Sequence, residues 1–120
     1  MTTAKFKQPQ YILIESESCL IPVWELIAEK KGIILATFNS ILDFRKVKHK
    51  FNKDIPIYIN YQHGKLNGVT CAKELYDYGF TNIYLETGYP REHIEEQEKD
   101  ISWLKGIVGK LPPFYDEPKE

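Results

Sequence analysis

Asp54-Ile55-Pro56-Ile57-Tyr58-Ile59-Asn60 is the stretch that decides how this chain folds. It is short and apolar and stops at a polar side chain, which predicts a strand. On its C-terminal side, Tyr61 to Gly68 reads as a turn-rich loop with two glycines, Gly64 and Gly68. Val69 to Tyr78 then repeats apolar residues at helical spacing, with Val69, Ala72, Leu75 and Tyr76 on one face and Gly79 as the stop. Ile83 to Thr87 is a further strand, broken by Gly88-Tyr89-Pro90. Glu92 to Asp100 is acidic, with Ile94 its one aliphatic anchor, and predicts a short, weakly held helix. Trp103 to Val108 predicts a last strand, and Pro112-Pro113 ends regular structure.

The N-terminal side follows the same grammar. Ser40 can cap a helix whose apolar side is Ile41, Leu42, Phe44 and Val47. Its basic residues Arg45, Lys46, Lys48, His49 and Lys50 read as a solvated face. Ile33 to Phe38 and Tyr11 to Ile14 are buried-strand runs. Between them Leu20, Val23, Trp24, Ile27 and Ala28 mark a helix, with Pro22 in its first turn and Gly32 as its cap. Strand and helix thus alternate four times before a final strand. That order predicts an α/β fold with a parallel sheet covered by helices on both faces. The expected organisation is a flexible arm over 1–10, one domain over 11–113 and a tail over 114–120.

Composition narrows the function. A formal net charge of −1 gives no electrostatic reason to expect nucleic acid. No apolar run is long enough to span a bilayer, and Met1 to Gln10 lacks the apolar core of a signal peptide. The expected location is therefore the cytoplasm, where Cys19 and Cys71 would stay unpaired. No glycine-rich dinucleotide or phosphate loop is present, so nucleotide cofactors are unsupported.

In such sheets the chemistry sits at the carboxyl ends of the strands. The polar residues there are Glu15, Ser16 and Glu17, then Asn60, then Thr87, then Lys110. Acid, amide, hydroxyl and ammonium at these places resemble the receiver domain of two-component response regulators. Asn67-Gly68 stands where that family has an Asp-Gly pair, and Tyr84-Leu85-Glu86-Thr87-Gly88 is similar to its Thr-containing segment. The resemblance spans roughly residues 11–113. It implies a flavodoxin-like, doubly wound five-stranded parallel sheet of order 2-1-3-4-5. Asn60 is at the position of the phosphate-accepting aspartate, and Glu15 and Ser16 are at that of the metal-binding acidic pair.

The departures carry the functional expectation. The amide of Asn60 has no anionic oxygen with which to attack phosphorus. Ser16 removes one carboxylate, so Glu15 alone is left to face Lys110, and no magnesium or other cofactor is expected; a weak metal site would draw on Glu15 and Gln62. Leu111 follows Lys110 where the family has proline, and Ile107 stands at the switching aromatic. The last helix is short or absent, leaving a sheet face for a second copy, for a partner, or for the tail Phe114-Tyr115. The chain therefore reads as a degenerate pseudo-receiver: not an enzyme, but a phosphorylation-independent interaction module in two-component signalling. Its partner would be a histidine kinase, another receiver, an effector, or a second copy of itself. Glu15, Asn60, Thr87 and Lys110 would form a hydrogen-bonded structural cluster. The alternative is a small α/β enzyme or ligand-binding domain using Asn60, His63 as base and Lys110 as anion binder.

Overall fold

A computed structural model describes residues 7–63 and 65–116. In chain order the elements are β1 (Tyr11–Ile14), α1 (Leu20–Lys31), β2 (Leu35–Phe38), α2 (Ile41–Val47) with a following 3-10 turn (Lys48–Lys50), β3 (Ile57–Asn60), β4 (Gln62–His63), β5 (Leu66–Asn67), α3 (Gly68–Tyr78), β6 (Ile83–Glu86), α4 (Arg91–Gln97) and β7 (Gly106–Val108). The main sheet is parallel with order β2-β1-β3-β6-β7. Counted along that sheet alone, this is the order 2-1-3-4-5 of the flavodoxin-like receiver fold. The strand order reverses beside β1, so β1 and β3 place their carboxyl ends at the switch point.

Alternation along the strands sorts two cores. Ile12, Ile14, Ile57, Ile59, Ile83 and Leu85 meet Ile41 and Phe44 of α2, Ala72 and Leu75 of α3, and Ile94 of α4. On the opposite face Leu13 and Tyr58 meet Trp24 of α1, with Tyr84, Val108 and Phe114 packed beside them. Tyr58 and Tyr84, neighbours in register, stack at 4.7 Å between centroids. Ile94 is fully buried, which is how so polar a helix as α4 is held.

Several boundaries move for identifiable reasons. β2 starts at Leu35 rather than Ile33, because the Ile33 amide still bonds Ala28 at the end of α1. β7 loses Trp103, whose ring instead lies 5.3 Å from Tyr76 on α3. Val23 and Leu42, read as core-facing, are exposed; α1 buries only Trp24 and Ala28. The loop Tyr61–Gly68 contains a small antiparallel hairpin, pairing Gln62 with Asn67 and His63 with Leu66. Residues 1–6 of the expected arm and 117–120 of the tail lie outside the described residues. Nearer the domain, the Gln8 side chain bonds Lys50 and Asn52, and Gln10 bonds Ile34 through both backbone and side chain.

No helix follows β7 among the described residues. The tail takes part of that place. Phe114 sits 5.1 Å from the Tyr11 ring and 6.0 Å from that of Trp24. The Trp24 indole N–H donates to the Lys110 carbonyl at 2.8 Å, and Asp116 pairs with Lys31. Of the occupants expected for the uncovered face, the chain's own tail is thus one. No helix among the described residues is long and apolar enough to cross a membrane.

Candidate functional site

The polar residues at the strand ends continue the parity of the aromatic face. Two residues beyond Leu13 comes Glu15, beyond Tyr58 Asn60, beyond Tyr84 Glu86, beyond Val108 Lys110. Asn60 and Glu86 are direct partners in the β3–β6 register. Glu15, Asn60 and Glu86 are all buried.

Asn60 is a saturated node. Its Oδ1 accepts from the Ser16 amide at 3.2 Å and lies 2.7 Å from His63 Nδ1. Its Nδ2 donates to Ser16 Oγ at 2.8 Å and to the Gln62 carbonyl. On the far side of the imidazole, Nε2 accepts from the Ile41 amide at 2.8 Å, so the ring proton is on Nδ1 and points at Asn60. The histidine therefore fastens the first amide of α2 to the end of β3. Burial lowers its pKa, outweighing the opposing field of Glu15. Asn67 completes the local architecture by capping α3, accepting from Val69 and Thr70 amides at 2.7 and 3.2 Å. Gly68 is needed because a Cβ there would stand 2.2 Å from the Asn60 carbonyl oxygen.

The cluster expected from the sequence divides differently. Ser16 joins Asn60, but Glu15, Thr87 and Lys110 do not bond it. Glu15 Oε2 accepts from the Glu17 amide at 3.0 Å, and Thr87 Oγ1 accepts from the Tyr89 amide at 3.0 Å. Lys110 does not face Glu15 alone: its Nζ lies 3.2 Å from Glu17 and 3.6 Å from Glu86. The pocket is thus not left with a single carboxylate.

Glu86 is the residue that sequence reading missed. It lies inside the strand read from Ile83 to Thr87, and a charged side chain in phase with Asn60 on a buried central strand was the available signal. Burial pushes its carboxyl up to about 9, with the neighbouring Glu15 acting in the same direction. Burial pulls the Lys110 ammonium down, but Glu86, Glu17 and Glu15 together raise it above the ordinary value.

The groups from which a weak metal site was expected, Glu15 and Gln62, are engaged elsewhere, Glu15 with the Glu17 amide. Both lone pairs of Asn60 Oδ1 are taken, and the Gln62 side chain turns to the Tyr89 hydroxyl at 3.2 Å. Among the described residues no group of three His, Cys, Asp or Glu side chains is placed to hold a metal ion. His63, the base of the alternative reading, has both nitrogens engaged and lies outside the crevice lined by Glu17, Asn60, Gln62, Glu86, Thr87 and Lys110.

No protein-family model and no curated protein sequence matches the chain. Solved structures do. The signal receiver domain of an HD domain-containing protein from Pseudomonas fluorescens Pf-5 superposes with a TM-score of 0.70 at 11% identity, over 91% of this chain and 80% of that one. The signal receiver domain of the response regulator NarL from Mycobacterium tuberculosis gives 0.67 at 10% identity, over 91% and 89%. The N-terminal domain of a response regulator/sensory box/GGDEF protein from Carboxydothermus hydrogenoformans gives 0.63 at 14%, over 87% and 83%. The fold is that of response-regulator receiver domains.

Proposed function

We propose that this chain is a receiver-like signalling domain that works without phosphoryl transfer or a resident metal, and acts by binding another protein. The observation that carries this reading is the four-bond environment of Asn60. An aspartate receiver site leaves its carboxylate free to attack; here the equivalent group is buried and committed to Ser16, Gln62 and His63. The hydroxyl of Thr87 is likewise engaged by its own loop. The receiver fold supports a signalling role, with a histidine kinase, another receiver, an effector or a second copy as partner.

The test is incubation with acetyl phosphate, and separately with beryllofluoride, in the presence of magnesium. Intact mass and amide chemical shifts around Asn60 are expected to stay unchanged. A stable mass increase mapping to Asn60, Thr87 or Ser16 would sink the reading.

A further inference from the structure

We infer that the crevice at the strand ends binds a small organic cation, an ammonium or guanidinium group seated on the Glu86 carboxyl. The inference goes beyond the reading above, since it needs neither a phosphoryl group nor a docked protein.

The crevice encloses about 240 Å³ between Glu17, Gln62, Glu86, Tyr89 and Lys110. That is below the range of about 300–1,000 Å³ for drug-sized ligands, so it suits a group of few heavy atoms. Glu86 lines it, is wholly buried, and has no hydrogen-bond partner at either carboxyl oxygen. Buried polar groups are normally satisfied, and an unsatisfied one is costly. Lys110 Nζ stands 3.6 Å from Glu86 Oε1, beyond hydrogen-bond reach. What the site lacks is an N–H donor.

The walls select the sign of the charge. Glu17 and Glu86 face a single ammonium in this lining, Lys110, which already leans on Glu17 at 3.2 Å. An anion would meet the acids Glu17 and Glu86, whereas a cation lets the Glu86 carboxyl release its proton to solvent and pair as a carboxylate. At the mouth the rings of Tyr61 and Tyr89 stand edge to face, 6.1 Å apart, and aromatic rings attract cations over their faces. A metal needs convergent oxygens, which the carboxylates do not supply. An organic cation carries its donors several ångströms apart and can reach separated acceptors.

The experiment is a titration of the ¹⁵N-labelled chain with methylguanidinium chloride against sodium chloride of equal ionic strength. Saturable shifts are expected at the amides of Gln62, Glu86 to Tyr89 and Lys110, with a Kd on the order of 1 mM. Glu86→Gln should weaken binding by about tenfold or more, and Lys110→Met should tighten it several-fold by removing the internal competitor. A capped arginine run in parallel separates two sources. Tighter binding than methylguanidinium assigns the cation to a partner's side chain; equal or weaker binding assigns it to a free small molecule. The inference is overturned by absent or unsaturable shifts, by shifts that persist unchanged in Glu86→Gln, or by magnesium chloride moving the same amides at lower concentration.

Discussion

Asn60 differs from aspartate by one nitrogen, and its neighbours are arranged for that nitrogen. Replacing it by oxygen would set a carboxylate against the Gln62 carbonyl and delete two donated bonds. Asn60→Asp should therefore cost about 2–4 kcal/mol in urea denaturation, and should not restore labelling by acetyl phosphate. Efficient phosphorylation of this variant would show that the site is a receiver lacking only its nucleophile. Glu86 supplies the second expectation. Its carboxyl keeps a proton up to about 9 in the folded protein, against 4.5 ordinarily. The folded state thus binds more protons than the unfolded chain between those values, and stability falls as pH rises through them. Glu86→Gln cannot ionise, so it should exceed the native protein in stability at about pH 8 and approach it at about pH 5. Asn60 was legible in the sequence because an apolar run ends on it. Glu86 was not, because burial is a tertiary property: the same residue at a strand's edge would be solvated.

At the scale of elements, the site depends on how α2 and α3 are fastened to β3. Gly68 opens α3 where its amide bonds Tyr61, and a methyl there would meet the backbone oxygens of Asn60 and Tyr61 at 2.2 and 2.7 Å. Alanine's higher helix propensity returns only about 1 kcal/mol. The clash is with rigid backbone, so Gly68→Ala should lose about 3 kcal/mol net by chemical denaturation. His63 holds α2 in the opposite sense. Once protonated, its Nε2–H would oppose the Ile41 N–H that it now accepts. Its folded pKa is lowered by burial, so the unfolded chain takes up the proton first and stability declines as pH drops below the ordinary 6.5. Amide exchange at Ile41 should accelerate relative to β3 between about pH 7 and about pH 5; uniform behaviour of both would remove His63 from this role. The helices themselves were legible through their periodicity, their caps Ser40 and Gly32 and the stop at Gly79. The β4–β5 hairpin was not, being two residues per strand and set by the His63–Asn60 bond rather than by any local pattern.

For the whole molecule, the two-faced parallel sheet followed from alternating elements and the strand order from the resemblance to receiver domains, while the fate of the uncovered face followed from neither. It turned on whether Phe114 reached Tyr11 and Trp24, a contact across nearly the entire chain. Phe114→Ala should destabilise by about 1–2 kcal/mol, less than truncating a fully buried phenylalanine. In a Trp103→Phe background it should red-shift Trp24 fluorescence and increase self-association in sedimentation. An unshifted spectrum would show that the tail does not shelter the indole. The bond from the Trp24 indole to the Lys110 carbonyl has a further consequence for the order of events in folding. It spans 86 positions, so it cannot form until β7 has docked, and loop closure on that scale comes late. Lys110, whose ammonium completes the crevice, is set by the same bond. The strand-end crevice therefore matures last, and a nascent or partly unfolded chain, though already rich in helix, would present no finished crevice.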